Sequence, residues 1–284
     1  MPEPVLAAGA SVVTDERLDR LRAVLADMAP VVVAFSGGAD SAFLVHVATT
    51  ALGINGCRAV TAVSPSLADD ELTECARLAE EWGLAWSTVT TDELANPAYA
   101  LNNGDRCFHC KSALMDALGP VVTAAAGATV VLGVNLDDLT DHRPGQQAAS
   151  ERGARFPLVE AGLTKSDVRD LSRQLGLRTW DKPAAACLAS RIPYGTTVTL
   201  GRLTEVERAE RALRQLGFRS LRVRHYDDTA RIEVPVDEIA RLVEIREQVS
   251  DAVHAAGFRY VTVDIDGLRS GNLNQALGEL SAER

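Results

Sequence analysis

The sequence lacks a long apolar run, an excess of basic residues and the dense, even cysteine set of a small secreted domain. No stretch approaches the roughly 20 apolar residues that a membrane-spanning helix needs. Lys and Arg number 29 against 39 Asp and Glu, a formal net charge of −10, which argues against a protein that mainly grips a nucleic-acid backbone. Five cysteines in 284 residues do not make a disulfide framework. We therefore expect neither a membrane partner nor a nucleic-acid partner.

The first residues carry no recognisable targeting signal. Met1 to Thr14 have neither a basic start nor a convincing apolar core ahead of a cleavage site. The composition, 46% hydrophobic and 24% charged, is that of an ordinary globular protein. We therefore expect a cytoplasmic protein whose cysteines are metal ligands, redox groups, nucleophiles or small core residues.

Short apolar runs alternate with helical patterns over the first part of the chain. Residues 31–35, 59–63, 86–90 and 129–133 are predicted to be buried strands. This alternation predicts a doubly wound α/β fold with a parallel, Rossmann-like sheet, whose ligands bind at the carboxyl ends of the strands. The predicted helices lie at residues 15–28, 41–52, 69–82, 110–118 and 165–175.

The order of elements changes near residue 195, after an irregular stretch that contains two prolines. The change predicts an α/β domain at residues 1–195 and a smaller α+β module at residues 196–284. The predicted elements of the module are a helix at 203–216, a hairpin of strands at 220–225 and 230–234, a helix at 236–256 and a strand at 260–265.

A glycine-rich string follows the first predicted strand and opens a helix: Ser36-Gly37-Gly38-Ala39-Asp40-Ser41. Backbone N–H groups and the helix dipole can hold phosphate groups at such a place, and the glycines let the backbone approach an anion closely. The serine hydroxyls can add hydrogen bonds, and Asp40 could hold a Mg²⁺ ion. A capped glycine turn is the simpler alternative, but the whole string after a strand favours a phosphate site. The lysine of a Walker A loop is absent.

The string resembles the signature of the PP-loop ATP pyrophosphatases, which include GMP synthetase, NAD synthetase, asparagine synthetase and several tRNA thiolation enzymes. The resemblance implies that ATP is cleaved between its α and β phosphates. A carboxylate or a carbonyl-type oxygen would be adenylated and pyrophosphate released. A nitrogen or sulfur nucleophile would then displace AMP.

Cys187 lies in irregular chain with Lys182 and Arg191 nearby. Positive charge lowers the pKa of a thiol and raises its thiolate fraction, although the residue alone fits equally well as a small apolar group. The surrounding string, Lys-Pro-x-x-x-Cys-Leu-x-Ser-Arg-x-Pro-Tyr-Gly, resembles the LarE family of ATP-dependent sulfur transferases. Further resembling stretches cover nearly the whole chain in order, at residues 106–111, 133–138, 143–145, 222–225, 231–234 and 267–271.

The LarE resemblance implies a substrate, pyridinium-3,5-biscarboxylic acid mononucleotide or its half-converted form, and a place in nickel-pincer nucleotide cofactor synthesis. Cys187 matches the sacrificial cysteine of that family. Its thiolate would attack the acyl-adenylate, and removal of the Cα–H proton would then expel a thiocarboxylate and leave dehydroalanine. Glu210 and Glu233 are candidate general bases for this elimination. The family also implies a homo-oligomer.

Cys107 and Cys110 form a Cys-x-x-Cys pair at a predicted loop-to-helix junction. Such a pair can share one metal. With Cys187 it offers three thiolates, one short of a closed zinc site but suited to a 4Fe–4S cluster with one open iron. Some PP-loop thiolation enzymes use such a cluster, and its open iron can carry the sulfide that is transferred. Inert thiols or a redox pair are the alternatives, so the sulfur source stays open between Cys187 and a cluster.

Two polar groups complete the candidate site. Asn135, Asp137 and Asp138 end the fourth predicted strand and could orient ATP or Mg²⁺, or simply cap a turn. Arg222 and Arg224 alternate along a predicted strand and so share a face. They could bind the phosphate of a nucleotide substrate, which the LarE resemblance favours, or lie solvated on the surface.

Two rival functions are consistent with parts of the sequence. A tRNA thiolation or amide-forming PP-loop enzyme shares the glycine-rich string, but the acidic chain has no evident RNA-binding domain and no glutaminase nucleophile. A non-enzymatic ATP or iron–sulfur binding protein is the second rival. An enzyme would release pyrophosphate on addition of the pyridinium dicarboxylate, whereas a non-enzymatic binding protein would not.

Overall fold

The computed structural model describes residues 15–139, 144–183 and 186–269. Met1 to Thr14, for which we expect no targeting signal, lie outside these ranges. The part of the predicted C-terminal module after residue 269 also lies outside them. Among the described residues, no helix has both the length and the apolar character required to cross a membrane.

Four strands form a parallel sheet in the order β3-β2-β1-β4. Val31 in β1 pairs with Cys57 in β2 on one side and with Thr129 in β4 on the other. The three valines of β1 are buried, as expected for a central strand covered by helices on both faces. The predicted α/β sheet is therefore confirmed. The strands are β1 (Val31–Ala34), β2 (Cys57–Val63), β3 (Trp86–Thr90) and β4 (Thr129–Val131).

The strand order places a topological switch point between β1 and β4. From β1 the chain moves outward through β2 to β3 and then returns to the opposite side of β1. The connections that leave β1 and β4 therefore diverge and open a crevice at their carboxyl ends. The segments after these two strands carry the glycine-rich string and Asn135.

Within the described residues of the α/β part, eight α-helices connect or flank these strands. Helix α1 begins after Asp15, whose side chain accepts a hydrogen bond from the Arg17 N–H, and α8 begins with a capping box formed by Thr164 and Asp167. The bounds are α1 (Glu16–Met28), α2 (Ala39–Gly56), α3 (Asp69–Glu81), α4 (Pro97–Ala100), α5 (Arg106–Ala124), α6 (Pro144–Glu151), α7 (Pro157–Glu160) and α8 (Lys165–Gln174).

The C-terminal part contains a second sheet in the order β5-β6-β7. The predicted hairpin is confirmed, since β5 and β6 are antiparallel, while β7 pairs parallel to β6. The predicted continuous helix at 236–256 is wrong, because a 3₁₀ turn precedes α10 and the backbone leaves helical geometry at Ile245 between α10 and α11. The bounds are α9 (Leu200–Gln215), β5 (Arg222–Tyr226), β6 (Thr229–Glu233), α10 (Ile239–Glu244), α11 (Arg246–Ala256) and β7 (Tyr260–Val263).

The hydrophobic core of the C-terminal part begins before residue 195. Leu188, Ala189 and Ile192 pack with α9, the second sheet and α11, and Tyr99 from the α/β part joins the same cluster. The chain around Cys187 is therefore anchored in the C-terminal core. The domain boundary at 195 stays a prediction.

Candidate active site

The glycine-rich string forms a tight loop between β1 and α2 at the carboxyl edge of the sheet. The Oγ atoms of Ser36 and Ser41 lie 3.1 Å apart, and Ser41 Oγ donates to the Gly38 carbonyl at 3.2 Å. Helix α2 begins after Gly38, and no described side chain caps this end. Its first backbone N–H groups therefore have the geometry of an anion-binding site.

Two positions at this loop must be glycine, because neighbouring atoms lie too close to leave room for a Cβ. Gly37 has a φ of +69°, and a Cβ there would lie 2.9 Å from the Cys75 sulfur. Gly133, which follows β4, faces the loop from the neighbouring strand. A Cβ on Gly133 would lie 2.8 Å from the Ser41 backbone nitrogen. The loop is thus packed against the end of β4 with no room for a side chain.

Asp40 connects the loop to the ends of β4 and α8. Its Oδ1 accepts from Asn135 Nδ2 at 3.2 Å, and its Oδ2 forms an ion pair with Lys165. The Lys165 backbone N–H donates to Asp137 Oδ2 at 2.5 Å, and Asn135 Oδ1 accepts from the backbone N–H groups of Asp137 and Asp138. The predicted polar residues of the two strand ends therefore meet. Their role toward ATP or Mg²⁺ stays a prediction.

Lys182 holds the loop from the other side. Its Nζ donates to the Gly37 carbonyl at 3.1 Å and to Glu71 Oε2 at 2.7 Å. The sequence suggested Lys182 as a positive charge near the Cys187 thiol. In the folded chain its ammonium group is engaged at the glycine-rich loop.

Cys187 is exposed and lies at the start of a 3₁₀ turn over Leu188–Arg191. The Leu188 backbone N–H donates to the carbonyl of Ser66 at 2.9 Å. Because Ser66 follows β2, this bond places the Cys187 turn at the same sheet edge as the glycine-rich loop. The predicted nucleophile and the predicted phosphate loop are thus brought to one edge, although they are far apart in sequence.

Cys107 and Cys110 lie in the first two turns of α5, which begins four residues earlier than predicted. Cys107 is exposed and Cys110 is partly buried. Burial, with a further contribution from the Cys187 thiol, raises the pKa of Cys110 to about 12. Across the described ranges, no three His, Cys, Asp or Glu side chains form a group arranged to hold a metal ion. The three thiols lie near enough for Cys187 and Cys107 to affect the pKa of Cys110, but they do not form a metal-binding group in the described residues, and the cluster stays a prediction.

The arginine pair of β5 does not present two free guanidinium groups. Arg224 is buried, and its Nε and Nη2 donate to Glu233 at 2.9 and 2.8 Å. Arg222 is half-buried and donates to the Arg269 carbonyl at 3.2 Å. The predicted role of Arg224 as a surface phosphate ligand is therefore difficult to combine with its ion pair, whereas Arg222 keeps a charge that no described carboxylate pairs.

The two candidate general bases also lie in buried ion pairs. Glu210 accepts from Arg191 and Arg214 at 2.8 and 2.9 Å, and from the Val223 N–H at 3.1 Å. Glu233 is likewise buried and paired with Arg224. Both carboxylates are thus occupied by arginines within the fold, and their role as general bases stays a prediction.

Comparison with known proteins identifies the family. The chain is 40% identical over 257 residues, 90% of this chain and 93% of the relative, to the pyridinium-3,5-bisthiocarboxylic acid mononucleotide synthase of Lactiplantibacillus plantarum. The chain belongs to the LarE family. It is also 44% identical over 265 residues to an uncharacterised protein of Synechocystis sp., covering 93% of this chain and 98% of the relative. A Methanocaldococcus jannaschii protein is 24% identical over 240 residues, 84% and 91% of the two chains. No family model matches the chain.

Sequence reasoning missed several residues of this candidate site. Lys165 is one, although a lysine in the first turn of a helix, where acidic residues are favoured, is a usable signal. Arg106 and Asn102 are others. Arg106 is buried and donates to Asn102 Oδ1 at 2.6 Å and to the Ala189 carbonyl at 2.8 Å. Nothing in the local sequence marks these contacts, because they join segments distant along the chain.

The burial of the cysteines predicts an order of alkylation. Cys107 and Cys187 are exposed, whereas burial raises the pKa of Cys57 and of Cys75 to about 11. Since the thiolate is the reacting form, iodoacetamide at neutral pH should modify the exposed pair first and the buried pair only after unfolding. Peptide mass mapping over time checks this, with a denatured sample as the control. Early modification of Cys57 in the folded protein would contradict it.

Proposed function

We propose that the chain is an ATP-dependent sulfur transferase. It adenylates a carboxylate of pyridinium-3,5-biscarboxylic acid mononucleotide and converts it to a thiocarboxylate for nickel-pincer nucleotide cofactor synthesis. The observation that carries the proposal is that two hydrogen bonds join the Cys187 segment to the carboxyl edge of the parallel sheet. Lys182 Nζ donates to the Gly37 carbonyl, and the Leu188 N–H donates to the Ser66 carbonyl. The name of the Lactiplantibacillus relative supplies the product class.

The glycine-rich loop is assigned to the pyrophosphate of ATP. The free N–H groups at the start of α2 suit its anionic oxygens, and the ammonium groups of Lys165 and Lys182 lie at the same loop. The carboxylates of Asp40, Asp137 and Asp138 are hard oxygen ligands of the kind that Mg²⁺ prefers. The described carboxylates alone do not form a metal-binding group, so we assign the remaining coordination of a Mg²⁺ ion to the phosphate oxygens of ATP and to water.

Cys187 is assigned as the sulfur donor. Its thiolate forms a bond to the acyl carbon, and the bond from that carbon to AMP breaks, so AMP leaves with the electron pair. A base then removes the Cα proton of Cys187. The Cβ–S bond breaks, the thiocarboxylate leaves with its electrons, and dehydroalanine remains. Each chain can therefore donate one sulfur by this route.

A cluster-bound sulfide is the alternative sulfur source. Cys107, Cys110 and Cys187 would hold a 4Fe–4S cluster, which would supply sulfide and spare Cys187 from sacrifice. Since the described thiols are not gathered into a metal-binding group, no step of the proposal depends on a cluster.

Arg222 is assigned to the phosphate of the substrate nucleotide. Burial and the neighbouring charges of Arg224 and Arg191 lower the pKa of the Arg222 side chain. A bound phosphate would offset this crowding of positive charge. A homo-oligomer and a cytoplasmic location stay predictions.

The test is pyrophosphate release under anaerobic conditions. With ATP and the pyridinium dicarboxylate mononucleotide, we expect AMP, pyrophosphate and thiocarboxylate in equal amounts; ATP alone, as the control, should give none. Release that depends on tRNA or on ammonia instead would support the rival PP-loop enzymes. ATP binding without release under any of these conditions would support the non-enzymatic rival.

A further inference from the structure

The turn that carries Cys187 is held by three buried arginines through its main-chain carbonyls. Arg191 Nη1 donates to the carbonyls of Ala186 and Cys187 at 2.7 and 3.2 Å. Arg106 donates to Ala189 at 2.8 Å, and Arg224 Nη1 donates to Ser190 at 2.8 Å. We call Arg106, Arg191 and Arg224 the arginine clamp. Their exposed fractions are 4, 6 and 2%, so the three guanidinium groups bind the turn from inside the fold.

Two buried glutamates fix the orientation of the clamp. Glu210 accepts from Nε and Nη2 of Arg191 at 2.8 and 3.1 Å. Glu233 binds the same two nitrogens of Arg224 at 2.9 and 2.8 Å. Each bidentate pair sets the plane of its guanidinium group and leaves Nη1 to bind the turn.

The turn needs such support to present the thiol. A 3₁₀ turn of four residues has poor hydrogen-bond geometry and is weak by itself, and the Cys187 side chain is exposed. Attack on an acyl carbon requires the sulfur to be held close to a near-attack geometry. The clamp leaves the thiol exposed while its main chain is bound by buried groups.

We propose that Glu210 and Glu233 are positioning residues that act through Arg191 and Arg224 to hold the Cys187 turn for attack. This rests on the proposed role of Cys187 as the nucleophile. A positioning residue and a general base predict different stalled species. Loss of positioning slows attack and leaves the acyl-adenylate unconsumed, whereas loss of the base blocks elimination and leaves substrate attached to Cys187 as a thioester.

The test is Glu210→Gln, with Glu207→Gln on the same helix as the matched control. We expect the yield of thiocarboxylate per pyrophosphate, measured at one early time before the wild-type turnover is complete, to fall about 100-fold in Glu210→Gln, without a protein adduct by mass spectrometry, and to stay unchanged in Glu207→Gln. An accumulating thioester on Cys187, or a wild-type yield from Glu210→Gln, would overturn the proposal.

Arg191→Lys covers the case in which Glu210→Gln does not fold. Lysine keeps the charge beside Glu210 but cannot bind both the carboxylate and the carbonyls of the turn, so the same loss of yield is expected. Hydrogen exchange of the Leu188 and Ser190 amides should be faster in both variants than in Glu207→Gln. Unchanged exchange would refute the clamp. This measurement needs no substrate, so it separates failure of the clamp from failure of the proposed function.

Discussion

Cys187→Ser should abolish thiocarboxylate formation while the first pyrophosphate per chain is still released. The glycine-rich loop lies on another segment, and only the thiol is replaced. A serine hydroxyl stays protonated at neutral pH, is a far weaker nucleophile and has no sulfur to donate. Product and pyrophosphate measured in one anaerobic turnover check this result. A variant that still forms thiocarboxylate would remove Cys187 from the reaction.

The matched variant Cys107→Ser identifies the sulfur source. If Cys187 is sacrificed, Cys107→Ser should keep its yield, and the Cys187 peptide of the wild-type chain should be lighter by one H₂S after turnover. If sulfide on a cluster is the donor, Cys107→Ser should lose product, the mass of Cys187 should not change, and bound iron should be present in the wild-type protein.

Gly133→Ala should disable pyrophosphate release and destabilise the fold. The added Cβ would lie 2.8 Å from the Ser41 nitrogen and 2.9 Å from the Asp40 carbonyl carbon, and both atoms belong to the loop backbone, which cannot rotate aside. Overpacking of this kind costs about 1–3 kcal/mol and displaces the anion-binding N–H groups. Urea unfolding and a pyrophosphate assay measure the two effects.

Gly119→Ala is the control for this substitution. Gly119 lies inside α5, and a Cβ there would meet no atom within 4 Å. Alanine is favoured over glycine inside a helix by roughly 0.5–1 kcal/mol, but the ring of Pro120 disfavours helical backbone at a preceding residue that carries a Cβ. We therefore expect little net change in stability and full activity. If the two variants had equal stability to urea and released pyrophosphate equally well, the close approach at Gly133 would not be required for the fold or for the reaction.

The fold was largely predictable because its elements have strong local patterns. The valines of β1 form a continuous apolar run, and the buried residues of α1 recur at helical spacing. The helix at 236–256 was predicted as one element because its composition is helical throughout. The break at Ile245 has no glycine or proline to mark it.

The candidate site was predictable only in part. The glycine-rich loop and Cys187 have motifs that are continuous in sequence. Glu210 and Glu233 were expected as bases, and the structure buries both in ion pairs with Arg191 and Arg224. A charged residue looks the same in sequence whether it faces solvent or a buried partner, so sequence could not assign these roles.

The sequence by itself determined the α/β class, the candidate phosphate loop, the reactive-cysteine candidate and the family resemblance, because each depends on patterns that can be read along the chain without knowing which segments meet. Only the tertiary structure decided which of them meet. Lys182 and Gly37 are 145 residues apart and Lys165 and Asp40 are 125 apart, and parallel strands bring both pairs to one sheet edge. The arginine clamp depends on tertiary packing in the same way: Arg106 and Arg224 reach the turn from separate segments. Arg191 belongs to the turn itself, and its carboxylate partner Glu210 comes from α9.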